Sequence, residues 1–545
     1  MEIEKITCIQ LLGELPDLCS RLIMPDYGMP LIATILSQSG YDVRLYVENI
    51  KPPEWDRIAE SDLVCFSSLM AAADKTCRLA KEIRLRLGIP IVIGGVHASF
   101  FPESCLEYCD YIVFSEGDET IIELVETLAR GGNVERVAGI AYRVAGRVVR
   151  TTPRAGPARF DTIPDFSLIE GYPRMSLFDM IVQRKKPVLT VQSSRGCPFK
   201  CTFCIVNTMF PSGYRTRDVE SVIRDLRDKR QYGKELIFVD NEFAADRAYA
   251  KKLMRRIIEE DLDFEIVIFA RVEVTQDDEL LLLMRQAGIT HIYQGFESIH
   301  PKTLISLNKR QTVNQIVAAV EKLHSFGFGV FASFVMGADS DTLETVKNNV
   351  DFVLQQKISN AYFWPIWGHF PEEKNGYQTI VPWYRGIYRG WRYCNGHFVT
   401  HFPLQMPPSK LQRAIIDAYR AVYSPTRALH ALKDRRFVDA RRIIFHKYQW
   451  HEIERGVRKY IPFLEKLEDG LYDSEGRLCE DLLVQRVQKD PRWTFQAGKR
   501  TIEALGLSPL DLPIPEKRNI TCVPPKIGLR SATERENGIP SVLHE

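Results

Sequence analysis

Short β-branched runs that alternate with amphipathic helical segments fill the first 130 residues of the chain. The runs predict strands, and the segments between them predict helices. Strands joined through helices pair in parallel, so the pattern predicts a doubly wound parallel sheet. The predicted strands are 6–11, 42–47, 63–66, 89–93 and 111–114, and the predicted helices are 30–39, 73–87 and 119–129.

Small or acidic residues follow three of these strands, at the carboxyl edge where such sheets bind ligands. Glycine at this edge lets a flat ligand approach the backbone closely. A flavodoxin-like sheet of this kind binds a flavin, a nucleotide or nothing, and the residues alone leave these options open. The loop residues are Ser67 and Ser68 after the third strand, Gly94, Gly95 and Val96 after the fourth, and Glu116 and Gly117 after the fifth.

Three cysteines, Cys197, Cys201 and Cys204, form a C-x3-C-x2-C motif that begins two residues after Arg195. A [4Fe–4S] cluster takes four thiolates, so three from one loop leave one iron open to a small molecule. A zinc site needs a fourth Cys or His with paired spacing, and none follows nearby. A disulfide set is not expected in a chain without a secretion signal. The spacing therefore favours an iron–sulfur cluster.

A second alternation of strands and helices runs from residue 188 to 369. It predicts six β/α units and hence a partial (β/α)6 barrel of the TIM type, with its chemistry at the carboxyl ends of the strands. The predicted strands are 188–192, 236–240, 265–270, 291–295, 329–336 and 361–366, and the predicted helices are 218–232, 247–260, 277–287, 312–326 and 342–356.

The cysteine motif, with Phe203 directly before its last member, resembles the signature of the radical S-adenosylmethionine (SAM) enzymes. With the sheet that precedes it, the chain resembles the cobalamin-binding radical SAM proteins over residues 20–360. The resemblance implies a [4Fe–4S] cluster on the three cysteines, SAM on its open iron, and cobalamin on the first sheet. The stretches of the first sheet that carry it are Gly94-Gly95-Val96-His97-Ala98, Ser115-Glu116-Gly117-Asp118-Glu119-Thr120 and Gly139–Arg143.

The resemblance also implies roles for residues at the predicted strand ends. Arg271 is expected to pair with the SAM carboxylate, a task suited to a planar guanidinium. Glu297 is expected to accept hydrogen bonds from the ribose, and Phe203 to pack on the adenine. The further candidate contacts are Asp240, Asn241, Ser298 and Ser333.

The cobalamin is expected to lack a histidine ligand. The Asp-x-His-x-x-Gly loop that supplies such a ligand in many cobalamin proteins is absent, and His97 follows the wrong strand for it. We therefore expect a structural role for His97, and a base-off cobalamin whose lower face lies near Ser68, Leu69 and Met70.

The family resemblance implies a C-methyltransferase. In this interpretation methylcobalamin passes a methyl group from SAM to an unactivated carbon of a small-molecule or natural-product substrate. The alternative is a cyclase, an oxidative or a ring-rearranging enzyme that acts on a tetrapyrrole or lipid without net methylation. Methylthiotransferases are disfavoured because the first sheet carries no second cysteine triad, and a non-catalytic sensor would need neither the triad nor Arg271 and Glu297.

Aromatic residues crowd the last predicted strand and the segment after it. They include Trp364, Trp367, Trp383 and Trp391, with Phe363, Tyr377, Tyr384, Tyr388 and Tyr393. Such a set forms a wall for a large, flat or apolar substrate, or closes the barrel against the last domain, and the sequence does not decide between these roles.

Four regions are expected along the chain: a cobalamin-binding domain at 1–135, a connector at 136–185, a radical SAM barrel at 186–400, and a mainly helical C-terminal domain at 401–545 with a loosely ordered tail. Within the connector, Ala145-Gly146 predicts the turn of a hairpin at 142–150. In the last domain, 409–422 and 439–463 have helical periodicity.

Composition limits the partners. A formal net charge of +2 argues against nucleic acid, and no run reaches the ~20 apolar residues of a membrane span. The first residues lack a leader, so a cytoplasmic protein is expected. A flavodoxin or ferredoxin is the expected reductant. The basic helical stretch 410–459 is either a solvated face or a surface that contacts a membrane.

Overall fold

The computed structural model describes residues 2–17, 22–172, 186–367, 385–387, 390–489 and 495–497. Within these ranges the chain forms two large sheets, each with helices between its strands, followed by a helical C-terminal region. One continuous apolar cluster includes Leu45 of the first sheet, Leu236 of the second and Tyr460 of the C-terminal helices. The α/β class and the order of these regions agree with the sequence prediction.

The first sheet has seven strands in the order β3-β1-β4-β5-β6-β7-β8, and β1, β3, β4, β5 and β6 are parallel. Alternate residues of its central strands point to opposite faces. Leu63 and Cys65 join one apolar cluster, while Val64 and Phe66 join another, so helices cover both faces. The strands of this part of the chain are β1 (Lys5–Gln10), β2 (Leu22–Ile23), β3 (Asp42–Val47), β4 (Leu63–Ser67), β5 (Ile91–Gly94), β6 (Tyr111–Val113), β7 (Ile140–Val144) and β8 (Arg147–Arg150).

Helices connect these strands. The longer ones agree closely with the predicted segments, because each buries a regular apolar stripe against the sheet. The helices are Gly28–Gln38, Trp55–Ile58, Ala73–Leu87, Gly95–Phe100, Pro102–Cys105 and Thr120–Ala129.

The predicted hairpin belongs to the first sheet. Its turn lies at Ala145 and Gly146, both with positive φ, as the sequence indicated. Strand β7 pairs antiparallel with β6 and buries Ile140 and Ala141, so the sheet continues past residue 135 into the predicted connector. The apolar residues of β7 thus pack into the core of the first sheet. The turn signal in the local sequence does not reveal this packing.

The second sheet has six parallel strands in the order β10-β13-β14-β15-β16-β17, which is also their order along the chain. A helix lies between each pair of neighbours. The strands from here on are β9 (Lys186–Pro187), β10 (Leu189–Val191), β11 (Ser194–Arg195), β12 (Arg215–Thr216), β13 (Glu235–Phe238), β14 (Glu265–Phe269), β15 (Ile289–Glu297), β16 (Gly329–Met336), β17 (Asn360–Pro365), β18 (Arg385–Ile387) and β19 (Phe495–Ala497). The helices are Val206–Met209, Val219–Lys229, Arg247–Glu260, Asp278–Gln286, Pro301–Ser306, Val313–Ser325 and Leu343–Gln355.

The C-terminal helices cover the free edge of the second sheet. The backbone N–H groups of Ala361 and Phe363 in β17 donate to the hydroxyls of Tyr423 and Tyr419, at 3.2 and 3.0 Å. An uncovered edge strand would leave these donors unpaired. The helices of this region are Pro408–Val422, Pro425–Lys433, Phe437–Glu468 and Glu480–Lys489.

Parts of the sequence prediction fall outside the described residues. These are residues 368–384 and 388–389, which include Tyr377, Trp383, Tyr384 and Tyr388, and the tail after residue 515. Among the helices that the structure describes, none combines the length and apolar character needed to cross a membrane.

Candidate functional site

The cysteine loop begins at a two-residue antiparallel ladder between β11 and β12. Gly196 follows β11 with a φ of 79°, and a Cβ there would lie 2.3 Å from the carbonyl oxygen of Gly213. Only glycine fits this close approach of two backbones. The turn at Gly196 leads directly into the loop that carries Cys197, Cys201 and Cys204.

The three thiols are half-buried and free. Burial raises the pKa of Cys197, and raises that of Cys204 to about 11. Among the described residues, no three His, Cys, Asp or Glu side chains converge as ligands of a single metal ion. A [4Fe–4S] cluster takes each thiolate on a separate iron, and iron supplies the positive charge that a buried thiolate lacks. Three thiols from one loop therefore fit a cluster of this kind.

Polar contacts with the loop after Pro301–Ser306 hold the cysteine loop in place. The N–H of Thr202 donates to the carbonyl of Leu307 at 3.1 Å, and Asn308 Nδ2 donates to the carbonyl of Lys200 at 2.6 Å. Asn207 Nδ2 donates to the carbonyl of Phe199 at 2.7 Å. The backbone of the loop is thus ordered by contacts that leave the cysteine side chains uncommitted.

Arg271 lies against the cysteine loop, as its predicted role requires. Its guanidinium stacks on the Phe199 ring at 4.0 Å, and Nη1 is 3.9 Å from Cys201 Sγ. Glu273 pairs with the same guanidinium at 3.0 Å, and Nη2 donates to the carbonyl of Lys309 at 2.6 Å. A planar cation is therefore held beside the thiols.

Glu297, the predicted ribose acceptor, is buried at the end of β15 and pairs with Lys309 at 2.8 Å. A Cβ on Gly295 would lie 2.3 Å from Glu297 Oε1, so the glycine makes room for this ion pair. Lys309 Nζ lies 6.0 Å from the centroid of the Phe203 ring. The family resemblance marks Asn308-Lys309 only as a loop-capping feature, because nothing in the local sequence shows that the Lys309 side chain folds back onto Glu297.

Phe203 packs in a small apolar cluster of its own. The cluster contains Leu307, Val335 and Ile366, with Phe203 and Ile205 against them. Because Phe203 remains partly exposed next to the strand ends, its ring can take an adenine on its open face.

The remaining predicted SAM contacts lie at the strand ends in different settings. Asp240 is buried and accepts four hydrogen bonds from the backbone and hydroxyl groups of Ser193 and Ser194. Burial raises its pKa to about 6 against the effect of these bonds. Asn241 is exposed, Ser333 is buried, and Ser298 Oγ accepts from the N–H of His300. Asp240 thus orders the chain that enters the cysteine loop.

Glu242 and Gln294 bond the backbone of Arg271, and Gln311 bonds the end of β15. Glu242 is buried, accepts from the N–H of Arg271 at 2.9 Å, and has a pKa raised by burial to about 7. Oε1 of Gln294 and of Gln311 are buried without a hydrogen-bond partner among the described residues. Unsatisfied buried acceptors of this kind fit a ligand with amino or hydroxyl donors. The Asp-Asn-Glu run after β13 signals Glu242, but no local signal marks the glutamines.

Two loops at the carboxyl edge of the first sheet interlock. The N–H of Ser68 donates to the carbonyl of Gly94, and the N–H of His97 donates to the carbonyl of Ser68, at 2.9 and 3.0 Å. A Cβ on Gly95 would lie 3.0 Å from the backbone of Ser68. Beside them Ser67, Gly94 and Val96 are half-buried, Met70 is buried, and Leu69 is 39% exposed. An exposed leucine on this edge fits an apolar ligand face.

His97 is fully buried. Its ring lies 4.7 Å from Trp391 and 5.6 Å from Phe101, and its Nδ1 is 3.2 Å from Cys105 Sγ. Burial lowers its pKa to about 3. The imidazole is thus enclosed by its neighbours, and the structural role of His97 stays a prediction.

Glu116, a predicted cobalamin contact, is engaged in ion pairs with Arg195 and Arg215. Gly117 beside it is half-buried, and a Cβ there would lie 3.1 Å from Val113 Cγ1. The loop after β6 therefore contacts the segment that leads into the three cysteines, and the two predicted cofactor loops lie next to each other.

The described aromatic residues close the second sheet and also contact the first domain. Phe363 is buried against Phe334 and Tyr419, and Trp364 packs on His397. Trp391 packs on Phe101 at 4.4 Å. Of the two roles left open by the sequence, these contacts favour closure for Phe363 and Trp364, while Trp383 lies outside the described residues.

Two family models match the chain. The B12 binding domain matches residues 17–125, and the Radical SAM superfamily matches residues 191–353. The first match includes β3 to β6 of the first sheet, and the second includes β13 to β16 of the second sheet, with the cysteine motif near its start. They assign cobalamin, SAM and an iron–sulfur cluster as the cofactors of these domains.

Curated relatives match more than half of the chain. A methyltransferase of Pyrococcus horikoshii, described as uncharacterized, is 32% identical over 302 residues, which are 54% of this chain and 64% of the relative. An anaerobic magnesium-protoporphyrin IX monomethyl ester cyclase of Rubrivivax gelatinosus is 30% identical over 344 residues, 59% of this chain and 60% of the relative. The chain thus spans a little over three fifths of these relatives.

A solved structure has the same fold. The radical SAM methyltransferase TsrM of Kitasatospora setae, with cobalamin and a [4Fe–4S] cluster bound, superposes with a TM-score of 0.57 at 19% identity, over 68% of this chain and 76% of that one. At this identity the likeness concerns the fold alone. The chain thus combines a B12-binding domain at residues 17–125 with a domain of the Radical SAM superfamily at residues 191–353.

Proposed function

We propose that the chain is a cobalamin-dependent radical SAM C-methyltransferase. It moves a methyl group from SAM, through methylcobalamin, to an unactivated carbon of a small-molecule or natural-product substrate. The observation that carries the proposal is the direct contact between the two cofactor loops, where Arg195, two residues before Cys197, pairs with Glu116 of the first sheet. Two cofactors that serve one substrate must lie at one cavity.

The six-stranded second sheet, interpreted as a partial barrel, would hold the cluster and SAM. Cys197, Cys201 and Cys204 supply the thiolates, and Arg271 and Lys309 supply positive charge beside them. The hydrogen-bond acceptors available to SAM are the carboxylates of Glu242 and Glu297 and the amide oxygens of Gln294 and Gln311. The residues present therefore fit the cluster and SAM.

The loops after β4, β5 and β6 would hold cobalamin. Gly95 lets the loop after β5 pack closely against Ser68 in the loop after β4, and Leu69 offers an apolar contact. We expect no imidazole ligand from His97, since its ring is enclosed.

When bound, the cluster with SAM supplies a radical that removes a hydrogen atom, and cobalamin supplies the methyl group. The chain's own residues bind, orient and exclude water. The cysteine loop is fixed by Asn207 and Asn308, and Arg271 is fixed by Glu273 and Phe199. Glu242 lies beside Arg271, and burial raises the pKa of its carboxyl group to about 7.

The test is the ratio of the two nucleoside products formed with the true substrate. Methyl transfer to an sp3 carbon should consume two SAM molecules per turnover and give S-adenosylhomocysteine and 5′-deoxyadenosine in about equal amounts, because different SAM molecules supply the methyl group and the radical. A large excess of S-adenosylhomocysteine would indicate methylation without radical chemistry, and would contradict the proposal.

The alternative is a cyclase or an oxidative enzyme without net methylation. The similarity to a magnesium-protoporphyrin IX monomethyl ester cyclase favours it as the second candidate. Such an enzyme would form 5′-deoxyadenosine without matching S-adenosylhomocysteine, so the same measurement separates the two functions.

The remaining proposals concern partners. A flavodoxin or ferredoxin is the proposed reductant, and the substrate is proposed to be a small molecule with a large apolar or aromatic part. Contact of the C-terminal helices with a membrane surface remains a secondary proposal. It is supported by exposed Phe437 and Ile444 on a helix that also carries Arg441.

A further inference from the structure

A buried ion-pair network joins the cysteine loop to the loop after β6. Arg195 is 4% exposed at its side chain, and its Nη1 donates to Glu116 Oε2 and to Asp118 Oδ2, both at 2.9 Å. Its Nη2 donates to Asp118 Oδ1 at 3.0 Å. One guanidinium thus bonds two carboxylates of another domain. Its pair with Asp118 is bidentate, which fixes the relative orientation of the two groups and strengthens the interaction.

A second arginine and the connector close the network. Arg215, the register partner of Arg195 in the β11–β12 ladder, donates to Glu116 Oε1 and to the carbonyl of Pro157. The Phe160 ring lies 4.5 Å from the Arg195 guanidinium. A Cβ on Gly156 would lie 1.9 Å from Glu116 Oε1, so the connector backbone encloses the carboxylate. Glu116 therefore has little freedom to rotate.

The charges of the network balance, with two arginines against two carboxylates. Burying such a set costs desolvation free energy that apolar residues of similar size would not cost. A network of this kind is thus weak evidence for added stability and better evidence for a fixed geometry. Its position is specific, since Arg195 lies two residues before Cys197 and Glu116 lies in a loop at the ligand edge of the first sheet.

We propose that Arg195, Glu116 and Asp118 are positioning residues that set the separation and orientation of the cluster site relative to the cobalamin site. The proposal rests on the proposed function only in requiring that both cofactors bind. It reassigns Glu116 from cofactor contact to positioning residue, because both of its oxygens are bonded to arginines.

Two conservative variants test the proposal. Arg195→Lys keeps the charge but loses the fork that bonds two carboxylates, and Asp118→Asn keeps the shape but loses the charge. Arg154→Lys is the matched control, because Arg154 joins the connector to Glu119 and Glu123 without contacting the cysteine loop. Pulsed electron paramagnetic resonance of protein with reduced cluster and cob(II)alamin measures the separation of the two centres.

Wild type and Arg154→Lys should give one narrow distance distribution. Arg195→Lys and Asp118→Asn should bind both cofactors in wild-type amounts but give a broadened or shifted distribution. In the protein without cofactors, amide hydrogen exchange should rise together in residues 115–120 and 194–204 of both variants. The amount of methylated product per 5′-deoxyadenosine should fall about tenfold or more, since small misplacements of reacting groups are costly.

An unchanged distance distribution in Asp118→Asn would overturn the proposal. If Arg195→Lys does not fold, Asp118→Asn alone is the deciding variant. Loss of cobalamin from a folded Asp118→Asn protein would also overturn it, because Asp118 would then be a cofactor contact. If wild type shows the narrow distribution but forms no methylated product, the proposed function fails and the positioning role stands.

Discussion

At the level of single residues, two cations define the surroundings of the cysteine loop. Arg271 Nη1 lies 3.9 Å from Cys201 Sγ, and the buried Lys309 pairs with Glu297 at 2.8 Å. The reduction potential of an iron–sulfur cluster depends on its net charge, its hydrogen bonds and its exposure. Positive side chains at these positions therefore favour the reduced, more negative cluster.

Removing one thiolate should remove the cluster and leave the other cofactor in place. We expect Cys201→Ala to lose the [4Fe–4S] cluster and to form no 5′-deoxyadenosine after anaerobic reconstitution, with cobalamin bound as in wild type. Iron and sulfide content, the cobalamin absorbance and product analysis measure these quantities. Cys479→Ala, which changes a half-buried cysteine of the C-terminal region, is the control and should behave as wild type. Near-normal SAM cleavage by Cys201→Ala would contradict the assignment.

His97 makes the stability of the protein without cofactors depend on pH. The unfolded chain takes up this proton near pH 6.5, whereas burial lowers the pKa in the folded protein to about 3. Below pH 6.5 the unfolded state therefore binds the extra proton, and the free energy of unfolding falls as the pH is lowered through this window. The loss is about 1.4 kcal/mol per pH unit.

His97→Phe should remove this contribution. Chemical denaturation at pH 6.0, 5.25 and 4.5 should show a slope of unfolding free energy against pH that is shallower than in wild type by about 1.4 kcal/mol per pH unit. The control is His451→Phe, at an exposed position, which should leave the slope as it is. Equal slopes for wild type and His97→Phe would show that His97 is not buried as described.

At the level of elements, the β11–β12 ladder determines where the cysteine loop begins. The ladder has only two residue pairs, Ser194 with Thr216 and Arg195 with Arg215. Two glycines with positive φ, Gly196 and Gly213, flank it, and their backbones touch. So short a ladder depends on this contact, and the position of Cys197 depends on the ladder.

The two glycines form a matched pair for a test. Both have φ near 80°, where an added Cβ costs about 1–2 kcal/mol. Gly213→Ala has open space around the new Cβ and should cost this amount alone. Gly196→Ala also clashes with the Gly213 carbonyl, so it should cost clearly more and reduce cluster loading. Denaturation and iron content measure the two effects. Equal losses from both variants would show that the backbone contact is not needed.

For the whole molecule, a segment after the second sheet returns to the first domain. Trp391 packs on Phe101 and His97, and the 3₁₀ turn Trp391–Tyr393 lies against the turn Met70–Ala72. Asn395 Nδ2 donates to the carbonyl of Pro16 at 3.3 Å. The predicted cobalamin loops therefore contact residues about 290 to 320 positions away in sequence.

Trp391→Ala should loosen the first domain as well as its own segment. We expect a loss of about 2 kcal/mol, since part of a large apolar side chain loses its packing. Amide exchange measured by mass spectrometry should rise in residues 95–101 and 390–398 together. Trp55→Ala is the control, because Trp55 packs in the first domain beneath Arg86 and far from this contact. Increased exchange in residues 390–398 alone would show that the two parts are not coupled.

Local sequence signals were sufficient for much of the fold, and they single out the three cysteines that are predicted to hold the cluster. The strands and longer helices of both sheets follow from periodicity, because parallel strands are continuous apolar runs and their covering helices are amphipathic. The helix Pro425–Lys433 was missed because it is short, although Ser424 caps it. The cysteine triad was found because its three donors lie within one loop.

Contacts between distant segments required the tertiary structure. Glu116 was expected at cobalamin, but its partners Arg195 and Arg215 lie some 80 to 100 residues later and carry no signal that points back to it. Lys309 and Gln294 became site residues only through folding. The physical reason is that periodicity and spacing report a residue's own element, whereas the partner of a buried charge is determined by how the elements pack.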